Sequence, residues 1–577
     1  MKARLKFTAF TVIPAFLLLV SLAHADGPAP AKPTPACIIE TLSSVLKNMD
    51  SESQARLAKA FASDPELHAQ ALELFKNADA GALSLQSKEA QMVAIRIGAK
   101  LQDSGELPDF LRAVAEEAGK QGKLPPGLSP EKQEAIIQQV SGVIDAELSA
   151  RGLTAASKGA KYEDWTRLSY RLMAETEREL EPLRKAGKAG FDHPEFVEVF
   201  ERQTGAKFTG GNIVHPLING PKSFKERRAL IQNAKKSIRV LSWAFYDDKT
   251  GTTFAKELIA AKRRGVDVKI MVDGQVAMKP GHEAALKSME DAGIEVVRWR
   301  SLDKLRKYDG QHRKMMIVDD LESISGGMNF GDVYSHMGRK GTPKWRDTDV
   351  YAKGEASVEA NRLFSKLWNE QVEGHGLTLG KADVPPAASP VSKEAAGSAR
   401  MSLVDHVPGV DQSILRATLL AIEGAEKNID IENAYLIMNP AIYRKLLEAK
   451  KRGVRVRVLT NSSTSIDEPI ITRPILRSVN HLVENGFEVY VKRGKNTLHS
   501  KFMTVDGKYS WVGSYNLHPR SERYEGEAIF NILDAEFTAD LTRSFEADLR
   551  NAERVKAPFP LPKKATDKIE QLFYDQF

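Results

Sequence analysis

Two hydrophobic rhythms divide the chain. From residue 37 to about 207, apolar residues recur at intervals of three and four, as in IIETLSSVLKNM, QARLAKAFA and PDFLRAVAEEAG, with stop signals such as GKLPPGLSP between them. That spacing lines one face of a helix with apolar side chains and predicts an all-helical region of six or more helices. From about Gly211 the rhythm changes to short β-branched runs alternating with amphipathic helices. SIRVLSWAFYDD reads as a strand, FAKELIAAKRRG as a helix ending in Gly265, and VDVKIMVDG as the next strand. This alternation marks βα units and places the rest of the chain in the α/β class.

The α/β part is written twice. AKRRGVDVKIMVD from Ala261 is answered by AKKRGVRVRVLTN from Ala449, and AKKSIRV from Ala234 by AEKNIDI from Ala425. Self-similarity at a nearly constant offset is the signature of a repeated structural unit. Between the copies, LGKADVPPAASPVSKEAAGSA is rich in Ala, Pro and Ser and reads as a linker. The expected organisation is a helical region at 37–207, a first α/β domain at 211–375, a linker at 376–400 and a second α/β domain at 401–560.

The N-terminus adds a compartment. Lys2, Arg4 and Lys6 precede an apolar stretch from Phe7 to Ala23, and Ala23-His24-Ala25 forms a small-residue cleavage site. Residues 1–25 therefore read as an export signal and 26–36 as an Ala/Pro-rich linker, so the mature chain is expected in the periplasm or outside the cell. The apolar stretch is short for a membrane span, and Pro14 interrupts it. Cys37 lies too far past Ala25 to be the first residue of a lipoprotein, and one cysteine allows no internal disulfide. Hydrophobic residues at 42% and charged residues at 28% exclude wholesale disorder. The formal charge of +7 suits anionic phospholipid headgroups or nucleic acid without choosing between them.

The chemistry is also written twice. HRKMMIVDDLESISGGMN places His312, Lys314, Asp319, Gly326, Gly327 and Asn329 at the spacing that HSKFMTVDGKYSWVGSYN repeats with His499, Lys501, Asp506, Gly513, Ser514 and Asn516. Six matching positions inside an independently detected repeat are not an accident. Each motif reads as a strand, on which residues two apart share a face, so His312 sides with Lys314 and His499 with Lys501. Two such pairs facing each other offer two cations for phosphate oxygens and two imidazoles on opposite sides of phosphorus. Phosphodiester exchange needs that in-line geometry, charge neutralisation and proton transfer. One imidazole attacks phosphorus; the other protonates the leaving alcohol and then deprotonates the acceptor. The sequence itself does not assign the two roles.

This pattern resembles the phospholipase D superfamily, whose mark is H-x-K-x4-D-x6-G-[GS]-x-N present twice. GGMNFGDVYSHMG…WRDTDVYAKG and GSYNLHPRSERYEGEAIFNI are similar to the bacterial cardiolipin synthase branch with its phosphatidylserine and phosphatidylglycerophosphate synthase relatives. The resemblance covers roughly 211–551. It implies two tandem phospholipase D-type α-β-α domains sharing one active-site cleft, preceded by the all-helical region. It also implies a phosphatidyltransferase working through phosphohistidine, with no metal and no other cofactor. The substrates would be phosphatidylglycerol or a similar phospholipid and an alcohol; with water as acceptor the enzyme would be a hydrolase releasing phosphatidic acid. Peripheral membrane contact through basic and apolar surface would suffice. An exported nuclease acting on DNA or RNA is the alternative of another class, less favoured because those nucleases resemble a single motif copy that dimerises.

By the same resemblance His312 is the nucleophile and His499 the acid/base. Lys314, Lys501, Asn329 and Asn516 hold the phosphate. An acidic residue downstream in each half orients the histidines: Asp347, with Asp349 as its rival, and Glu527. Asp319 and Asp506 complete the catalytic motifs and read as structural, tying a loop to the scaffold. One departure is Glu525, where this branch usually has Asn. His518 and His336 are candidates for the cleft or for plain surface. His282 has no second ligand at metal-binding spacing. Trp243, Phe245 and Tyr246 face either an acyl or glycerol moiety or, as the favoured reading, the core.

Overall fold

A computed structural model describes residues 162–561, apart from 304–305, 307–308, 387–396 and 409–410. The export signal, the Ala/Pro linker and most of the predicted helical region lie outside the described residues. Of that region the structure describes two helices, α1 (Tyr162–Lys185) and α2 (Pro194–Thr204).

The remainder is a mixed α/β fold around one sixteen-stranded sheet. Its first half holds β1 (Thr209–Ile218), β2 (Ser237–Ser242), β3 (Asp267–Asp273), β4 (Glu295–Trp299), β5 (Gly310–Gln311), β6 (Met315–Val318), β7 (Glu322–Gly326) and β8 (Thr348–Lys353). The second half holds β9 (Ala399–His406), β10 (Asn428–Asn433), β11 (Arg455–Thr460), β12 (Glu488–Lys492), β13 (Lys501–Val505), β14 (Tyr509–Gly513), β15 (Glu525–Leu533) and β16 (Ala552–Arg554). The first half runs β4-β3-β2-β6-β7-β8-β1, and the second runs β12-β11-β10-β13-β14-β15-β9 with β16 outside β12. Strand for strand the orders are the same. They join where β1 runs antiparallel to β9. β5 leaves its own half and pairs in parallel with β15 of the other.

The repeated sequence explains the repeated order. In each half three parallel strands, β2-β3-β4 and β10-β11-β12, are joined by crossover helices, and the shared RRG and KRG tripeptides end two of these. Gly265 and Gly453 both sit at φ 93°, a conformation that costs a Cβ-bearing residue strain and so stops the helix. The helix starts are capped as well: Asp248 accepts from the Gly251 N–H at 3.0 Å, Asn439 from Ala441 at 2.8 Å, and Asp534 from Phe537 at 2.8 Å.

Three apolar clusters hold the layers together. On one side of each half-sheet the crossover helices cover separate clusters, with Phe254, Leu258 and Leu286 in the first half and Ile414, Leu446 and Leu482 in the second. The third cluster is common to both halves. It unites Phe364 and Trp368 of α3 (Glu355–Gly374) with Phe537, Leu541 and Phe545 of α4 (Ala535–Arg550) and with buried residues from β2, β6, β13 and β15. The two repeats thus share a core, and burying such side chains is the main force joining them.

The described end of the predicted helical region packs on the second half. Leu172, Leu180, Phe196 and Phe200 enter that half's cluster, and Phe191 stacks on Tyr509 with ring centres 4.1 Å apart. Among the described residues, no helix is long and apolar enough to cross a membrane.

Candidate active site

Each motif is laid against the opposite repeat. The His312 N–H donates to the Gly526 carbonyl at 2.9 Å, and the His499 N–H donates to the Arg346 carbonyl at 2.7 Å. These backbone bonds fix where the imidazoles stand. The regular strands begin later than the sequence reading placed them, at Met315 in β6 and at Lys501 in β13. His312, Lys314 and His499 therefore stand just ahead of the regular ladders, tied by single backbone bonds to Gly526, Gly326 and Arg346.

The crossing continues in the side chains. His312 Nδ1 lies 3.0 Å from both carboxylate oxygens of Glu527, and His499 Nδ1 lies 2.8 Å from Asp347 Oδ2. Each acid orients the histidine of the other half. Holding Nδ1 leaves Nε2 as the reacting nitrogen, the arrangement that a nucleophile or an acid/base requires. Glu527 is itself fixed by the hydroxyls of Ser514 and Ser521, and Asp347 by the Thr348 N–H at 2.8 Å. Asp349, the rival, takes no part: it is buried against Arg227 at 2.9 Å and Ser223 at 2.5 Å.

Both lysines are buried with their charge turned inward. Lys314 Nζ donates to the His312 carbonyl at 2.6 Å and stands over the Trp243 ring. Lys501 Nζ donates to the His499 carbonyl, lies 3.0 Å from His499 Nδ1 and stands over Tyr435. Burial lowers Lys314 to about 7 and Lys501 to about 8, against the pull of the site's carboxylates. It raises Asp347 to about 6, opposed by Lys501, and with the Glu525 charge it raises Glu527 to about 7. Both imidazoles are pushed well down, first by burial and then by the lysines of both motifs. Buried ammonium groups that resist their own charge are prepared for an anion that restores it.

The remaining predicted residues divide. Asn329 is fully engaged: its Oδ1 accepts from Ala244 N at 3.1 Å and Ser242 Oγ at 3.3 Å, and its Nδ2 donates to the Tyr334 hydroxyl at 3.0 Å. Asn516 is equally buried, and its Oδ1 makes no hydrogen bond. Gly327 makes room for Asp347 rather than for a ligand, since a Cβ there would lie 2.1 Å from Asp347 Oδ1. Ser514, at the matching position, instead holds Glu527.

Asp319 and Asp506 stand apart from the chemistry. Asp319 accepts from the backbone N–H groups of Lys235, Lys236 and Ser237 at 2.7–2.9 Å, and Asp506 from those of Glu426, Lys427 and Asn428 at 2.7–2.8 Å. They anchor the far ends of the motif strands to the starts of β2 and β10. Their inclusion in a catalytic set is therefore corrected: they share the motif but not the site.

Among the aromatics, Phe245 is core, stacked on Phe330 at 4.7 Å, whereas Trp243 turns its edge to His312 at 5.8 Å. Tyr246 lies over His282 at 4.5 Å. His518 is buried, caps Ser521 N at 3.0 Å and stacks on Tyr435, while His336 bonds the Trp345 carbonyl at 2.8 Å. Tyr334, Trp345 and Tyr435 surround His499 with ring centres 5.2–5.9 Å away, and the sequence reading missed all three. They lie outside the motifs and do not recur in both copies, so comparing the halves could not raise them.

One set of donors could suit a cation: His312, Glu525 and Glu527 bring ligand atoms within 4.8 Å of one another. Each is engaged from within the protein, since Glu527 holds the imidazole and Arg520 Nε donates to Glu525 at 2.8 Å. A second group, Glu177, Glu423 and Glu448, converges on the ammonium of Lys445.

Comparison with known proteins agrees with this geometry. The family described as cardiolipin synthase, phospholipase D-like domain, matches residues 228–337 and 419–549, one segment in each repeat. The chain is 27% identical over 365 residues to cardiolipin synthase 1 of Bacillus anthracis, covering 62% of this chain and 71% of the relative. It is 25% identical over 368 residues to the major cardiolipin synthase ClsA of Bacillus subtilis, covering 63% and 74%. Among solved structures, the phosphatidylserine synthase of Haemophilus influenzae aligns with a TM-score of 0.53 at 15% identity, covering 65% of this chain and 96% of that one. That last likeness is one of fold.

Proposed function

Because the chain belongs to the phospholipase D superfamily, in its cardiolipin synthase branch, we propose that it is a phosphatidyltransferase with cardiolipin synthase-like activity. The observation that carries this reading is the doubled and crossed arrangement: two imidazoles, each held at Nδ1 by a carboxylate of the opposite half, beside two buried lysines. The two halves act as tandem phospholipase D-type domains sharing one cleft. Neither half holds a complete site.

The reaction follows from the residues. A phospholipid phosphodiester enters between the lysines, whose ammonium groups neutralise the non-bridging oxygens. One Nε2 attacks phosphorus, the P–O bond to the first alcohol breaks, and the other imidazole gives that oxygen its proton. The acceptor alcohol then passes its proton to the same imidazole, its oxygen attacks phosphorus, and the N–P bond breaks. Trp243, Tyr334, Trp345 and Tyr435 keep the site dry, which strengthens every charge interaction in it. Phosphatidylglycerol or a similar lipid serves as donor and an alcohol as acceptor. The enzyme works outside the cytoplasm at a membrane surface, a reading supported by the leader sequence.

The test is to incubate the purified mature chain with phosphatidylglycerol vesicles, with and without added glycerol, and follow the lipid products beside His312→Ala and His499→Ala. Cardiolipin formed by the wild type alone is the expected result. Phosphatidic acid alone would make the enzyme a hydrolase, and cleavage of plasmid DNA without lipid turnover would overturn the proposal.

A further inference from the structure

The two halves place different side chains at one register position. The carbonyls that receive the histidine N–H groups belong to Arg346 and Gly526, so Trp345 and Glu525, one residue earlier, occupy equivalent places. Trp345 lies against the His499 ring, with centres 5.2 Å apart. Glu525 instead puts a buried carboxylate beside the other ring, with Oε2 3.9 Å from His312 Nδ1. Arg520 Nε fixes its Oε1 at 2.8 Å, and Ser521 Oγ stands 3.5 Å from Oε2.

The lysines add to this asymmetry. Lys501 Nζ reaches within 3.0 Å of His499 Nδ1, whereas Lys314 Nζ bonds the backbone carbonyl of His312. His312 thus has two carboxylates at its Nδ1 edge, with Lys314 and the Trp243 ring nearby. His499 has one carboxylate, an ammonium group within 3.0 Å of Nδ1 and three aromatic rings.

We infer that Glu525, held by Arg520, is a positioning residue that settles a single proton of the imidazole pair on His312 and leaves His499 neutral. Opposite charges within a few ångströms favour the protonated imidazole, and like charges disfavour it. The ring faces about His499 are weaker partners for a cation than a full carboxylate. The charged groups packed around Glu525 are few. Glu527 lies two residues on along the same strand, and Arg520 and His518 come from the segment before it. Asp273 approaches from the end of β3. Lys314 sits beside His312, and Lys501 faces it from the other motif. Glu525 opposes the downward push on His312 as a second carboxylate beside Glu527, whereas at His499 Asp347 stands alone against burial and the lysines of both motifs. Glu525 stays ionised to do so: burial works against its charge, but His312 and Arg520 hold it down at about 2.

The consequence rests on the phosphohistidine reading above. A protonated His312 is the group fitted to give a proton to the leaving alcohol, and a neutral His499 is the attacking nitrogen. In that order His499 Nε2 forms the N–P bond, the P–O bond breaks, and the His312 proton goes to the departing oxygen. This reverses the roles that family resemblance implies.

The proton assignment is tested without substrate. The full mature chain, carrying histidine labelled with 13C at Cε1, is titrated by NMR, with His312→Gln and His499→Gln variants identifying the two resonances. His312 should titrate above His499. Glu525→Gln should lower His312 by roughly one pH unit or more while His499 stays put, and Glu525→Asp should keep most of the separation. His499 titrating higher, or a separation unchanged in Glu525→Gln, overturns the proposal. A second measurement addresses the roles: alkaline quench during turnover of phospholipid labelled with phosphorus-32 should place label on the peptide bearing His499. Label on His312 overturns the reversed roles. Label on neither, with the titration split intact, overturns the phosphohistidine reading and leaves the proton assignment standing.

Discussion

Asp347 belongs to the first repeat, yet its Oδ2 lies 2.8 Å from Nδ1 of His499 in the second. With Glu527 reaching back to His312 at 3.0 Å, each half completes the other's histidine. Asp347→Asn and Glu527→Gln keep the shape but remove the charge that orients an imidazole and stabilises its cation. Each should lower kcat by on the order of 10²-fold or more, with lipid binding changed far less. Steady-state kinetics on phosphatidylglycerol vesicles decide it; a variant with near wild-type kcat would show that the crossed pairs are scaffold.

Gly327 supplies a sharper test of the same contact. A methyl group there would lie 2.1 Å from Asp347 Oδ1, with the Asp347 carboxyl carbon only 2.8 Å away. Gly327→Ala should therefore displace Asp347 and reproduce the kinetic defect of Asp347→Asn. Combining the two should add little beyond either alone, because both act through one contact. Additive losses in the double variant would place the glycine's role elsewhere.

Asp319 and Asp506 should behave in the opposite way. Each accepts three backbone N–H groups at the start of a strand and makes no hydrogen bond with the histidines or lysines of the motifs among the described residues. Asp319→Ala or Asp506→Ala should cost about 1–3 kcal/mol of stability through the unsatisfied donors. Urea unfolding should show that loss, while kcat per folded molecule changes by less than about threefold. A large drop in kcat at unchanged stability would return these residues to the catalytic set.

That division between motif and site shows what the chain discloses before it folds. The repeat, the strand order's doubling and the helix stops at Gly265 and Gly453 follow from local spacing, which is why they are legible. The His-x-Lys pairs are legible because the sequence states them twice. The crossing of Asp347 to His499 is not, since the spacing would be the same if each acid served its own half. Trp345 escapes for a related reason, and Glu525 shows only as a departure from the family pattern: equivalent positions carrying unlike residues look like drift until backbone bonds align them. The docking of α1 and α2 on the second half depends on contacts such as Phe191 on Tyr509, which no periodicity encodes.

The two lysines give the last prediction, and its sign follows from their burial. Lys314 falls to about 7 and Lys501 to about 8, below the ordinary lysine value of 10.5, because the unliganded site disfavours their charge. An anion between them reverses that preference. Above neutral pH the free protein holds both lysines less protonated than ordinary lysines, so binding inorganic phosphate between them should draw protons from solvent. Titration calorimetry in two buffers of different ionisation enthalpy should report net proton uptake at pH 8. Affinity should fall as pH rises beyond that value, by up to about tenfold per unit for each lysine. In Lys501→Met the uptake should shrink and the pH dependence should flatten. Proton release at pH 8, or binding indifferent to both lysines, would mean that the phosphate is held somewhere other than between His312 and His499.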